Sequence, residues 1–192
     1  MLMGYQSAQC ASGVGYLPMP QPAINVQFYL MQIAQVIEKI GYMPLNQDGF
    51  VIYVEKSPAA ISVAESEQIQ KEISYKMISY NHHSMRGKLQ EKKNTILKLA
   101  ELLEAKRTEL AKVDSRFCSD IFYLFNNLNI RHNNVDPSIN GKFKQAVADM
   151  PPEELEHWYD ETYQMCLLAF LRLEQADRKI EFDKLKSVIE ST

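Results

Sequence analysis

The chain has 192 residues, of which 46% are hydrophobic and 23% are charged, so a single domain with a sizeable buried core is expected. The formal net charge is only −3, which gives no indication of binding to nucleic acid or to an anionic membrane surface. No stretch of about 18 uninterrupted apolar residues occurs, so a membrane span is not expected.

The cysteines and the N-terminal sequence indicate in which cellular compartment the protein is expected. Cys10, Cys118 and Cys166 are widely spaced and form no C-x-x-C pair, which is typical of reduced thiols and not of a disulfide framework. The N-terminus lacks the basic segment and the continuous apolar segment of a secretory signal. A cytoplasmic location is therefore the default expectation, and export would need a route that does not depend on a signal peptide.

The N-terminal region is uncharged. Residues 1–37 contain no Lys, Arg, Asp, Glu or His, and residues 1–22 are rich in Gly, Ser, Gln and Pro. We interpret residues 1–22 as a tail that is either flexible or ordered against a partner subunit, and residues 23–192 as a helical domain. Residues 23–40 are predicted to form a helix that is apolar around most of its circumference, which predicts burial on several sides.

A β-hairpin is predicted over residues 42–55. The β-branched and aromatic run Phe50–Val54 follows Asp48-Gly49, which is a strong hairpin turn signal. Pro44 places the first strand at a sheet edge, because proline cannot donate a hydrogen bond to a neighbouring strand.

The most regular pattern is a heptad repeat from Tyr75 to Val113. Nine of its twelve a and d positions are apolar, and a period of about 3.5 residues indicates a helix that lies along another helix. The candidate interaction residues on this seam are Tyr75, Ile78, Met85, Leu89, Ile96, Leu99, Leu103, Leu110 and Val113.

The repeat belongs to a helix predicted over residues 58–113. Ser57-Pro58 is a favourable start, with serine as the N-cap and proline as the first helical residue. The poor helix formers at residues 79–84, followed by Gly87, predict a kink or short break near residues 80–87.

Short helices are predicted over residues 115–150 and a C-terminal helix over residues 152–190, with a buried stripe that extends to Leu185 and Ile189. Residues 86–112 carry eight basic and four acidic side chains, whereas residues 149–161 carry six acidic and no Lys or Arg. An antiparallel pairing of the two long helices would bring these segments together. The predicted fold class is mainly α, a long antiparallel helical hairpin or coiled-coil bundle with one small β-hairpin.

Signals for chemistry are few. Glu154 and His157 have the i, i+3 spacing of two-iron helical bundles, but no second Glu-x-x-His pair accompanies them. Cys118 and Cys166 fall among apolar neighbours, where a small buried thiol is ordinary. No catalytic residue, cofactor or metal site is predicted, and the chain is expected not to be an enzyme.

The sequence favours a structural or adaptor subunit that acts through helix–helix surfaces. Its apolar surface exceeds what elongated helices can cover, so self-association into a homo-oligomer is expected, and removal of residues 1–22 is expected to weaken it. Two alternatives stay open: a secreted effector or a filament- or tip-type subunit of a bacterial secretion apparatus, and a helical-bundle metalloenzyme. In plan, with an uncharged N-terminus, an early apolar helix and long helices, the chain is similar to small secreted virulence or appendage subunits.

Overall fold

The computed structural model of the chain describes residues 25–47, 49–66, 69–139 and 141–191. The N-terminal tail expected over residues 1–22 lies outside the described residues. The described chain divides into two units, with the boundary between Val36 and Ile37.

The described residues form a mainly helical fold with one two-stranded antiparallel sheet, which confirms the predicted class at that level. The helices are α1 (Val26–Lys39), α2 (Pro58–Ala64), α3 (Lys71–Ser79), α4 (Leu89–Ala105), α5 (Arg107–Val113), α6 (Ser115–Asn127), α7 (Gln145–Ala148) and α8 (Pro152–Glu190), and the strands are β1 (Tyr42–Gln47) and β2 (Phe50–Glu55). Within the described ranges, no helix is both long enough and apolar enough to cross a membrane.

The sheet is the predicted hairpin. Its register runs from Tyr42 opposite Glu55 to Gln47 opposite Phe50, so two residues connect the strands. Gly49, the second of these, has φ +85°, a backbone conformation that glycine adopts without the strain a Cβ would add.

The helix predicted over residues 58–113 is instead divided into α2, α3, α4 and α5. The main break follows α3, where one 3₁₀ turn at His83–Met85 leads into Gly87 at φ +72°. Because this left-handed backbone is costly for other residues, Gly87 ends the helical path and lets the chain change direction.

The chain reverses at this break, so α3 lies antiparallel to α4. Tyr80, just after α3, contacts Lys92 near the start of α4, with the ammonium group 5.3 Å from the ring centre. Glu72, near the start of α3, instead shares a surface groove with Glu101 in the second half of α4. The break predicted near residues 80–87 is therefore present, but it is a complete reversal, so the segments before and after it do not continue along one helix axis.

The antiparallel pairing expected between the two long helices is wrong. Lys92 of α4 contacts Asp160 of α8, and Asp114, just after α5, forms an ion pair with Arg172 further along α8. Because the contact later in the α4–α5 segment is also the contact later in α8, α8 runs in the same direction as the chain from the start of α4 to the end of α5. The reason is α6, which returns the chain to the start of α4 before α8 begins.

Several contacts position α6 so that it leads the chain back to the start of α4. The N-cap of α6 is Asp114, whose carboxylate accepts a hydrogen bond of 2.9 Å from the backbone N–H of Phe117. Beyond α6, Arg131 donates to the backbone carbonyl oxygen of Ala100, and Asn129 accepts from Lys93 near the start of α4. Helix α6 is therefore antiparallel to α4, and α8 can start beside the first turn of α4.

The core lies among α2, α3, α4, α5, α6 and α8. Its largest fully buried side chains are Met77, Tyr80, Ile96, Leu99, Leu103, Leu110, Ile121, Phe122, Phe125, Tyr159, Tyr163 and Leu167. Leu173 is the last buried residue of α8. The rest of that helix, residues 174–190, is called the C-terminal arm below.

Two segments are more exposed than the sequence predicts. Helix α1 contains no buried residue, so the described part of the chain does not supply the burial expected for residues 23–40. On α8 the expected buried stripe ends early: Leu185 and Ile189 are 56% and 66% exposed. Both segments therefore carry exposed apolar side chains.

Candidate interaction surfaces and a buried charge cluster

The nine seam residues predicted from the heptad repeat do not form one exposed surface. Ile96, Leu99, Leu103 and Leu110 are fully buried in the core. Tyr75, Ile78, Met85 and Leu89 are half-buried, and Val113 is 42% exposed. The central part of the predicted seam thus packs within the chain and offers no contact area to a partner.

A charge cluster, consisting of Lys92, Glu156 and Asp160, joins α4 to α8. The Lys92 ammonium group is buried and lies 2.7 Å from a carboxylate oxygen of Glu156 and 2.7 Å from one of Asp160. Both Glu156 carboxylate oxygens also accept a hydrogen bond from the backbone N–H of Gly87, at 2.9 and 3.0 Å. The cluster therefore ties the turn before α4 to the first turns of α8.

The electrostatics of Glu156 follow from these contacts. Its hydrogen bond from Lys92 holds the pKa of the carboxyl group below its usual value, and the Gly87 N–H acts in the same direction. The carboxylate is therefore ionised at neutral pH, as is required to neutralise a buried ammonium group. A buried lysine without such partners would carry a large desolvation cost.

Two stacked tyrosines lie beside the cluster. The rings of Tyr80 and Tyr163 are 3.9 Å apart and nearly parallel. The Tyr163 hydroxyl donates a 2.7 Å hydrogen bond to the backbone carbonyl oxygen of Met77, which fastens α8 to α3. Burial raises the pKa of both tyrosines, and the Asp160 carboxylate adds to the effect on Tyr80, so both hydroxyls stay protonated.

A cavity of about 420 Å³ opens next to the cluster. It is lined by Glu55, Tyr80, Asn81, His82, Arg86, Lys92, Glu153, Glu156, His157 and Asp160. Four of these side chains are carboxylates, and the basic ones are Arg86 and Lys92, of which Lys92 already has two carboxylate partners. The lining can therefore donate and accept hydrogen bonds.

The residue types that support metal or thiol chemistry are not assembled into such a site. Among the described residues, no group of three or more His, Cys, Asp or Glu side chains is arranged to hold a metal ion. Glu154 and His157 are both exposed at the start of α8. Burial raises the pKa of the Cys166 thiol and of the Cys118 thiol, which opposes formation of a nucleophilic thiolate.

The C-terminal arm carries an apolar stripe that the described chain leaves more than half exposed. Phe182, Leu185 and Ile189 are 62%, 56% and 66% exposed, and Val188 beside them is 63% exposed. Their spacing of three and four residues places Phe182, Leu185 and Ile189 on one helix face. An apolar stripe of this kind is typical of a helix that packs against another helix.

Exposed apolar side chains also occur near the start of the described chain. On α1 they are Val26, Phe28, Tyr29, Leu30, Met31 and Val36. On the hairpin, Phe50, Val51 and Tyr53 of β2 are exposed, whereas Val54 is buried. Each of these segments offers apolar area for contacts.

Sequence reasoning expected the basic segment 86–112 to lie beside the acidic segment 149–161, and the contacts of Lys92 with Glu156 and Asp160 join these two segments. Charge composition did not identify the individual partners, which lie 64 and 68 positions after Lys92. The exposure of Leu185 and Ile189 was also missed, because a periodic stripe has the same appearance whether or not a neighbour covers it. The one available signal was the length of the predicted C-terminal helix relative to the elements that could cover it.

The comparisons with known proteins identify no relative. No protein-family model, curated protein or solved structure shows significant similarity to this chain.

Proposed function

We propose that this protein is a non-enzymatic structural or adaptor subunit that self-associates through helical surfaces. The observation that carries this proposal is the exposed apolar stripe of the C-terminal arm, formed by Phe182, Leu185 and Ile189. Leaving three large apolar side chains in water on one helix face forgoes about 1.5–3 kcal/mol for each that a partner could bury. A second copy of the chain is always available as that partner.

The contacts within the charge cluster support a structural role for its three residues, Lys92, Glu156 and Asp160. Both carboxylates of the cluster are engaged by Lys92, and Glu156 is further held by Gly87. These contacts fix the position of α8 against α4. The cluster thus supports α8 as a rigid element whose C-terminal arm can serve in assembly.

A second candidate is a secreted effector or a filament- or tip-type subunit of a bacterial secretion apparatus. It is favoured by the absence of charge from residues 1–37, together with the exposed apolar side chains of α1. If it is correct, deletion of residues 1–22 should abolish export by such an apparatus while leaving the helix content unchanged. Normal export of the truncated chain would count against it.

Self-association is tested by light scattering and sedimentation equilibrium on the full chain over a range of concentrations. We expect a mass that rises with concentration above the 22.1 kDa of one chain. A mass that stays at 22.1 kDa at high concentration, with no binding of a dye for exposed apolar surface, would contradict the proposal.

A further inference from the structure

The charges beside the apolar stripe of the C-terminal arm indicate how two copies would align. With Phe182 as position a of a heptad and Leu185 as position d, Ile189 is the next a position. The flanking g positions are then Glu174 and Glu181, and the flanking e positions are Lys179 and Lys186. Val188 occupies the third g position, so the charged residues that directly flank the seam are acidic on the g side and basic on the e side.

This distribution discriminates between the two directions of pairing. In a parallel two-stranded coiled coil, a g residue faces the e residue five positions later on the other helix. Glu174 would face Lys179 of the partner subunit, and Glu181 would face Lys186 of the partner subunit. In an antiparallel pair, equivalent flanks meet, so lysines would face lysines and glutamates would face glutamates.

We propose that two copies of this chain pair through their C-terminal arms as a parallel two-stranded coiled coil, with Phe182, Leu185 and Ile189 in the seam. The proposal rests on the proposed function, since it specifies the partner and the geometry of that self-association. Gln175 and Arg178 occupy the two preceding seam positions, so the apolar contact is short and the dimer should dissociate on dilution.

The arm is suited to this pairing because it is already helical. An isolated helix of 17 residues is marginal in water, since starting a helix is costly. Here the arm continues a helix whose first part is packed in the core as far as Leu173. Less ordering is therefore needed when two arms meet, which lowers the cost of association.

Ion pairs between the flanks of the two arms would contribute more to the direction of pairing than to its affinity. In the single chain, Glu174 already pairs with Arg178, and Lys186 lies 3.6 Å from Glu190. Exchanging such exposed contacts for contacts across the seam gains little energy. Like charges brought together by the wrong direction are unfavourable, so the flanks act by excluding the antiparallel arrangement.

The first test reverses the charge of one flank at a time in the full chain. One variant carries Glu174→Lys and Glu181→Lys, and the other carries Lys179→Glu and Lys186→Glu. Each should raise the Kd of self-association at low salt by about tenfold or more, and an equimolar mixture of the two should form a heterodimer.

The matched control carries Asp177→Lys and Asp183→Lys, which makes the same change in charge on the side away from the seam. It should self-associate as the unmodified chain does. If both flank variants associate with unchanged affinity while the unmodified chain is oligomeric, the parallel pairing is wrong although self-association stands. A monomeric unmodified chain would instead overturn the proposed function itself.

The second test measures direction. A spin label is attached to Gln164→Cys, an exposed position on α8, in a chain that also carries Cys10→Ser; Cys118 and Cys166 are buried. Parallel arms should place the two labels within roughly 30 Å of each other, because paired helices lie 8–10 Å apart. An antiparallel pair centred on Leu185 would separate them by about 60 Å at 1.5 Å per residue, and that result would overturn the proposal.

Discussion

The ammonium group of Lys92 lies 2.7 Å from a carboxylate oxygen of Glu156, although 63 residues separate them in the chain. Lys92 is buried on α4 and Glu156 lies one turn into α8. Since Glu156 also accepts from the Gly87 N–H, a single carboxylate holds the start of α8 against both α4 and the turn that precedes it.

Removal of the ammonium group should destabilise the chain strongly. Lys92→Ala leaves Glu156 and Asp160 close together without their cation, and we expect a loss of about 2–4 kcal/mol, reduced because the Asp160 side chain is 45% exposed. Denaturant unfolding followed by circular dichroism measures the loss. The control is Lys98→Ala, which removes an exposed pair with Glu101 and should change the free energy of unfolding by less than about 1 kcal/mol.

The contribution of Glu156 should depend on pH. Its pKa is lowered in the folded chain, so its stabilising effect is complete above the ordinary value of 4.5 and is lost as the pH falls through the lowered pKa. We therefore expect the difference in free energy of unfolding between the unmodified chain and Glu156→Gln to be constant near neutral pH. It should shrink as the pH falls below 4.5. A difference that does not change between pH 7 and the acid limit of folding would rule out this linkage.

Local features of the fold were predictable from the sequence, whereas the arrangement of the helices was not. Asp48-Gly49 specified the hairpin through turn chemistry that acts within a few residues. The heptad repeat specified an apolar stripe but not which helix covers it or in which direction. A basic segment beside an acidic one suits parallel helices as well as antiparallel ones, and only the return of the chain through α6 decides between them.

The reversal of the chain after α3 also could not be predicted from the sequence. Gly87 was recognised as a weak point for a helix, yet a weak point is compatible with a kink, a short break or a complete reversal. The choice depends on contacts made later in the chain, such as the stacking of Tyr80 on Tyr163 and the hydrogen bond from Tyr163 to Met77. Tyr163 is the later residue in both contacts, and it is not identifiable from residues 58–113 alone.

Truncation of a core leucine should reveal the packing of α4. Leu103 is fully buried, so Leu103→Ala should cost roughly 2–5 kcal/mol through lost apolar burial and the cavity it leaves. Leu30→Ala on α1 is the matched control, because Leu30 is 58% exposed, and it should cost less than about 0.5 kcal/mol. An equal melting temperature for both variants would mean that Leu103 is not in a packed core.

The hydroxyl of Tyr163 should stabilise the contact between α8 and α3. Tyr163→Phe removes the 2.7 Å hydrogen bond to the Met77 carbonyl oxygen and keeps the stacked ring, so we expect a loss of about 0.5–1.5 kcal/mol. Tyr123→Phe removes the same atom from a side chain that is 65% exposed and serves as the control. Chemical denaturation of both variants compares them, and equal losses would show that the buried hydrogen bond is not what Tyr163 contributes.

The apolar stripe of the C-terminal arm should matter for association and not for folding. Leu185→Glu places a charge in the proposed seam without touching any buried residue, so the melting temperature measured in dilute solution should stay within a few degrees of that of the unmodified chain. Its self-association should weaken by at least about tenfold, since burying an unpaired carboxylate against Phe182 and Ile189 is costly. Ile180→Glu makes the same change at a residue with similar exposure, 59% against 56%, but about 140° around the helix. Sedimentation equilibrium on the two variants separates the faces: equal weakening would show that association is not specific to the stripe, and no weakening in either would remove the arm from the interface.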